Sequence, residues 1–295
     1  MKIKVFFLLF LISSFLFTPI GVKRAEAATL APIARLIQQI EILKQEISLL
    51  QMLLANSRLQ QGILAQSYMA VDISDNSSLL QKNSDKPYPV ASITKLMNAV
   101  VALENINSGQ TITLTEKMLE PFGQSPSLFT GLNISLENLL KASLIQSAND
   151  ASEALSYFLG KERFLSLMNQ KAKEIGMINT AFYDVHGLNP ANYSTAADLA
   201  KLLAYVNKNH PEILSITRTN DFWLPDSAGS LLKFQNVNNF YPLPSFAGGK
   251  TGYLPESKQT LASIFNVNGK KVAIILLYSS NRQADVFAIF RQLKK

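Results

Sequence analysis

The 295-residue sequence predicts an α+β domain: one antiparallel sheet drawn from strands at both ends of the domain, flanked by helices, with a helical region inserted between them. Three observations predict it. Residues 67–73 ("SYMAVDI") alternate and are rich in strand formers, and "DNSS" then turns the chain into "LLQKN". Near the other end, "TLASIFNV" and "KKVAIILLY" are apolar runs joined by Asn268-Gly269, the dipeptide of a tight hairpin. Between the two ends, apolar residues recur at helical spacing.

The N-terminus reads as an address. Lys2 and Lys4 precede an apolar run from Val5 to Phe17, and the small-x-small site Ala25-Glu26-Ala27 follows, the layout of a secretory signal peptide over residues 1–27. The competing reading is an uncleaved anchor, because Val5 to Val22 is 18 residues, just long enough to span a membrane. Lys23 and Arg24 on the exported side argue against it. Either way the remainder is expected outside the cytoplasm, secreted or in the periplasm or cell envelope. Residues 28–61 predict an amphipathic helix. Ile33, Ile40, Ile47 and Leu54 fall on heptad position a, Leu36, Leu43 and Leu50 on d, and Gln39, Glu46, Lys44 and Gln51 flank them. Ile at a with Leu at d favours a parallel two-stranded coiled coil, hence a homodimer through residues 33–54. Ile42, Leu49 and Met52 widen the stripe and favour instead a single helix packed on the following domain.

Residues 62–295 then form the main domain. Pro87 and Pro89 end the first strand region, and residues 92–106 read as a helix opening on Ser92, a good N-cap type. Residues 135–159 and 161–175 have helical periodicity. Residues 194–208 form another helix with a Thr195 to Asp198 capping pattern, closed by Pro211. Residues 282–293 are the last helix. Trp223 reads as a packing residue.

Composition excludes several functions. There is no cysteine, so neither a disulfide nor a thiolate zinc site exists. The net charge is +7, but beyond residue 27 there are 24 basic and 20 acidic residues, a mild excess. No dense Lys/Arg run interleaves with aromatics, which argues against nucleic acid as a partner. His186 and His210 are the only histidines, no Ser-His-Asp motif is found around them, and no spacing points to a metal. His186 reads as structural.

The stretch "GGKTGY" at 248–253 invites a phosphate-loop reading. That motif requires a first glycine where Pro244 stands, and a helix should follow where strand and turn residues continue. The alternative is one wall of a serine acyl-transfer site. Three motifs occur in order: Ser92-Ile93-Thr94-Lys95, Ser147-Ala148-Asn149 and Lys250-Thr251-Gly252. Each alone has a bland reading: a cap and a solvated lysine, a kink, an exposed strand edge. Together, in these contexts, they point to the chemistry that such a trio carries. Ser92 and Lys95, three apart on a helix, share a face. A serine hydroxyl needs a base, and Lys95 serves if burial and the nearby Lys250 cation keep it neutral. Ser147 can relay a proton, and Asn149 can hold Lys95 or a substrate amide. Lys250 and Thr251 can hold a substrate carboxylate, and the backbone N–H groups of Ser92 and Tyr253 can form an oxyanion hole. Gly248, Gly249 and Gly252 would let that edge approach the substrate closely.

The stretches "VASITKLMNAVVALE", "SLIQSANDASEAL", "YDVHGLNPANYSTAADLAKL" and "GGKTGYLPESKQTLASI" resemble the low-molecular-mass penicillin-binding proteins, the serine-type D-alanyl-D-alanine carboxypeptidases, and the resemblance runs from about Ser67 to Arg291. It implies a β-lactamase/transpeptidase-like fold. It implies peptidoglycan stem peptides as substrate, acylation of Ser92 with loss of the terminal D-Ala, covalent inhibition by β-lactams, and no metal or organic cofactor. A D,D-endopeptidase of the same fold and a non-catalytic coiled-coil envelope scaffold are the alternatives. A β-lactamase is disfavoured, since its E-x-x-L-N carboxylate is not matched by "ERFLS" at Glu162.

Overall fold

The computed structural model describes residues 36, 38–49, 62–123, 125–226 and 229–294. The chain divides into two units, residues 1–52 and 53–295. In the first, residues 38–49 are helical, and Leu36, Ile40, Leu43 and Ile47 are exposed. The predicted signal segment and the heptad positions Ile33, Leu50 and Leu54 lie outside the described residues. Among the described residues no helix is long and apolar enough to cross a membrane.

The second unit is built on a five-stranded antiparallel sheet of order β2-β1-β11-β10-β9. Its strands are β1 (Ser67–Asp72), β2 (Ser78–Lys82), β9 (Phe246–Leu254), β10 (Lys258–Val267) and β11 (Lys270–Ser279), so the sheet does join the two ends of the domain. Asn268 and Gly269, both at positive φ (53° and 78°), close the β10–β11 hairpin. The apolar run in β11 is explained by burial on both faces, because successive side chains alternate across a strand. Ala273, Ile275 and Leu277 face the main core, which holds α1 (Thr94–Asn105) and α5 (Ala196–Asn209). Val272, in register with Phe265 of β10, faces the other way, where Phe265 meets Phe290 of α7 (Arg282–Leu293) edge-on at 5.2 Å between centroids. Helices thus cover the sheet on both sides.

The inserted region lies between β2 and β9. It holds α1, α2 (Leu136–Ile145), α3 (Asn149–Tyr157), α4 (Lys161–Glu174), α5 and α6 (Pro211–Thr217). Three two-stranded sheets complete it: β3 (Tyr88–Pro89) with β6 (Tyr193–Ser194), β4 (Thr111–Thr113) with β5 (Asn133–Ser135), and β7 (Asp221–Pro225) with β8 (Leu231–Gln235). The first nine residues of α1 are all buried, which makes it the central helix.

Four details differ from the sequence reading. Ser92 is not an N-cap: it sits in a 3-10 turn, Ala91–Ile93, and α1 begins at Thr94. The helix expected over 135–159 is two helices, broken at Gln146–Ala148, where Ser147 takes φ 61°. Periodicity persists across the break because α2 and α3 each bury one face. Pro211 both follows α5 and opens α6, a position proline tolerates because its missing N–H would be unpaired there. Trp223 is 53% exposed on β7, its ring beneath the Lys233 ammonium at 5.2 Å, and is not a core residue.

Candidate active site

Three segments distant in sequence meet where α1 starts. The turn carrying Ser92 opens with Ala91 at φ 50°, a left-handed conformation that costs a non-glycine residue about 1–2 kcal/mol. The strain is held from two sides. Thr260 Oγ1 of β10 donates to Val90 O (3.1 Å), and Gly187 packs so closely that a Cβ there would lie 2.1 Å from Ala91 O. Asn192 Nδ2 reaches Thr94 Oγ1 (3.1 Å) and Asp184 Oδ1 (2.8 Å), tying the 184–192 loop to the same turn.

Lys95, one turn after Ser92, is fully buried. Its Nζ contacts Ser92 Oγ at 3.1 Å, Asn149 Oδ1 at 2.6 Å and the His186 carbonyl at 2.6 Å. Burial pushes its ammonium down to about 7, against the opposing pull of the Asp184 and Asp150 carboxylates. Asn149 begins α3, and its Nδ2 donates to Phe122 O (2.6 Å), so the 122–123 segment roofs the lysine. Gly123 leaves the space this needs: a Cβ would lie 2.6 Å from Asn149 Nδ2.

The third segment is β9, an edge strand paired only with β10 among the described strands. Lys250 is 1% exposed and donates to Ser147 Oγ (2.8 Å) and Thr251 O (3.3 Å). Burial, then the Lys95 charge, then Arg282 hold Lys250 well below the ordinary lysine range. Two lysines and a guanidinium in one buried site therefore disfavour their common ionisation. Gly252 is where β9 passes Ser92: a Cβ there would lie 2.9 Å from the Ser92 nitrogen and 2.6 Å from Thr260 Oγ1. Thr251 is buried beside it, and the Tyr253 ring is exposed. Gly248 and Gly249 take φ of 130° and 142°, and a Cβ at Gly248 would lie 2.7 Å from Leu214 O.

The structure thus brings the five side chains together as two neighbouring hydrogen-bonded groups, Lys95 with Ser92 and Asn149, and Lys250 with Ser147, with Gly252 alongside Ser92. Three participants were not read from the sequence. The His186 carbonyl is a backbone group, which no residue type announces, although the glycine after it is a signal. The Phe122 carbonyl is likewise backbone. Arg282 Nη1 donates to Gly252 O (2.9 Å) from the first turn of α7, a position without local motif. The bland readings of Lys95 as a solvated helix lysine and of Lys250 as an exposed strand lysine fail, since both are buried.

Comparison with known proteins decides the family. The pattern of the D-alanyl-D-alanine carboxypeptidases, peptidase family S11, matches residues 55–281. This chain belongs to that family. It is a serine-type D-Ala-D-Ala peptidase of the penicillin-binding-protein fold. Among relatives of this S11 chain, a D-alanyl-D-alanine endopeptidase of Haemophilus influenzae is 35% identical over 230 residues, covering 76% of this chain and 78% of the relative. The D-alanyl-D-alanine carboxypeptidase DacF of Bacillus subtilis is 30% identical over 233 residues, covering 75% and 59%. The solved D-alanyl-D-alanine carboxypeptidase of Mycobacterium tuberculosis H37Rv superposes with a TM-score of 0.74 at 23% identity, over 80% of this chain and 92% of the other. The last shares the fold.

Proposed function

We propose that this chain is an exported carboxypeptidase that removes the terminal D-Ala from peptidoglycan stem peptides through an ester on Ser92. The observation that carries the proposal is the three-way environment of Lys95 Nζ. A neutral amine has two N–H bonds and one lone pair. Two fixed acceptors, Asn149 Oδ1 and His186 O, take the N–H bonds, leaving the lone pair facing the Ser92 hydroxyl at 3.1 Å. With its ammonium lowered to about 7, Lys95 is neutral often enough at neutral pH to act as the base.

Ser92 Oγ adds to the carbonyl carbon of the penultimate D-Ala as Lys95 takes its proton. The N–H groups of Ser92 and Tyr253 receive the developing oxyanion. The C–N bond breaks, and the leaving D-Ala amine takes the proton that Lys95 removed from Ser92, relayed through Ser147, which returns Lys95 to its neutral form. Lys250 and Thr251 hold the terminal carboxylate, whose negative charge raises the Lys250 pKa and restores its ammonium. Water then hydrolyses the ester, with Lys95 again as base. A β-lactam acylates the same serine. No metal or organic cofactor takes part in this scheme.

Residues 1–27 serve as a signal peptide, or as an uncleaved anchor that keeps the enzyme membrane-proximal, and 62–295 as the catalytic domain. Residues 28–61 serve as a spacer or dimerising helix, a role supported by the exposed stripe of Leu36, Ile40, Leu43 and Ile47. One observation favours a second reading, D,D-endopeptidase: the name of the 35% identical relative. The two activities differ only in the leaving group.

The test is labelling with a fluorescent penicillin beside Ser92→Ala. Absent label on the wild type, or equal label on the variant, overturns the mechanism. Release of D-Ala from a stem pentapeptide, compared with cleavage of a crosslinked dimer, separates carboxypeptidase from endopeptidase. Crosslinking of the chain with and without residues 28–61 tests the dimer.

A further inference from the structure

Asp184 takes no part in the proposed scheme, yet its carboxylate gathers the loop that touches both Ser92 and Lys95. Oδ1 accepts the backbone N–H groups of His186 (3.2 Å) and Gly187 (2.6 Å) and Nδ2 of Asn192 (2.8 Å). Oδ2 accepts the Asn189 N–H (2.5 Å) and stands 3.2 Å from His186 Nδ1. These donors fill the roughly four lone-pair sites that a carboxylate offers. Burial alone would raise this acid, but the His186 ring and then the Asn189 and Gly187 N–H groups hold it down at about 2. The loop is therefore folded round a fixed negative charge.

The residues bonded to that charge reach both halves of the Ser92–Lys95 pair. His186 turns its carbonyl to Lys95 Nζ (2.6 Å). Gly187 packs against Ala91 O. Asn192 O receives the Val90 N–H (3.0 Å), and its Nδ2 meets Thr94 Oγ1 (3.1 Å), so the turn holding Ser92 is gripped on both sides. The same carboxylate also acts on Lys95 by charge, as the largest influence opposing burial there.

We propose that Asp184 is a positioning residue for acylation: it folds residues 184–192 so that the His186 carbonyl and the Ser92 turn keep Lys95 aligned on the serine. The proposal rests on the reading of Ser92 as nucleophile and Lys95 as base. The groups facing the carboxylate are the His186 ring on its own loop, Lys95 on α1 and Lys161 on α4. Glu153 and Asp150 of α3 stand beyond them, the first against His186 and the second against Lys95.

Asp184→Asn keeps the shape and removes the charge. Its single oxygen offers about two acceptor sites, so part of the donor set loses its partner. Two changes should appear in the second-order rate of penicillin acylation of the full chain from pH 5 to 10. The midpoint, near 7 in the wild type, should fall by roughly one unit, because an opposite charge acting on Lys95 is gone. The plateau should fall about tenfold or more, because misplacing a catalytic group by about 1 Å costs on the order of a hundredfold. Asp184→Glu keeps the charge but sets it one methylene further out, so it should lower the plateau and leave the midpoint near that of the wild type. Imidazoles titrate in the same range, so the comparison is repeated in His186→Gln, which keeps the backbone carbonyl. The downward shift on adding Asp184→Asn should persist there.

An unmoved midpoint or an unchanged plateau in Asp184→Asn overturns the proposal. So does a shift that vanishes without the His186 ring, or one that Asp184→Glu reproduces in full. Thermal melting reports folding. If Asp184→Asn does not melt cooperatively, Asp184→Ser, neutral and still able to accept a backbone N–H, is read by the same criteria. Failure of both to fold makes Asp184 a residue of stability and overturns its positioning role. A wild type that penicillin does not acylate overturns the Ser92 reading itself, and the role of Asp184 with it.

Discussion

Asn149→Asp puts a carboxylate where an amide oxygen now lies 2.6 Å from Lys95 Nζ, with almost no change in shape. Burial brings the ammonium from 10.5 down to about 7. At pH 7 that leaves roughly half of the lysine neutral, against roughly one part in three thousand for an unshifted lysine, a difference of about 5 kcal/mol in base availability. An adjacent opposite charge raises an amine pKa by roughly 1–3 units. The neutral fraction at pH 7 should therefore fall by about five- to five-hundredfold, and the acylation rate with it. The sign is set by the amine being the active form: the wild-type rate rises with pH and levels off above about 7. In the variant that rise moves to between roughly pH 8 and 10. The substitution also removes the Asn149 Nδ2 donor to Phe122 O (2.6 Å), which lowers the rate at every pH. The second-order rate of penicillin acylation from pH 5 to 10 separates the two effects, because only the first shifts the midpoint. An unchanged midpoint with a uniformly lower rate would refute the argument that Lys95 is the base.

Three further outcomes follow from the geometry. Gly187→Ala should destabilise the fold by several kcal/mol, because its Cβ would lie 2.1 Å from Ala91 O at a φ of 93°, and thermal melting with penicillin labelling will show both the lower Tm and the displaced Ser92 turn. Amidating the terminal D-Ala carboxylate should lower kcat/KM by about tenfold or more in the wild type and far less in Lys250→Gln, and equal effects in both would remove Lys250 as the carboxylate's partner. Phe265→Ala should cost about 3–5 kcal/mol by denaturant unfolding, since Phe240, Phe246 and Phe290 all pack edge-on against that ring.

The layout of the sheet was legible because its signals are local. Asn268-Gly269 specifies a tight turn through backbone conformation alone, and the strand runs on either side declare themselves by composition. The break between α2 and α3 was not legible. Ser147 adopts a left-handed φ there, and nothing in "QSAND" requires it. It is imposed by contacts from afar, with Asn149 bonded to Phe122 O and Lys250 bonded to Ser147 Oγ. The β7–β8 hairpin escaped for a related reason: its strands are five residues each and one ends on Pro225, so it lacks a distinct pattern.

By itself the sequence determined which residue types exist for the chemistry and how they are spaced: a serine and a lysine three apart, a second serine and an asparagine two apart, and a lysine before a threonine and a glycine. It also determined the strands at both ends of the domain. Only the tertiary structure decided that both lysines are buried, that Lys95 finds two fixed acceptors besides Ser92, and that Arg282 and Gly252 hold the strand edge against the serine turn. The physical reason is that spacing along a chain constrains neighbours within a turn or a strand pair. The pKa of an amine is instead set by solvent exclusion and by charges from segments up to 155 residues away, as Lys250 is from Lys95.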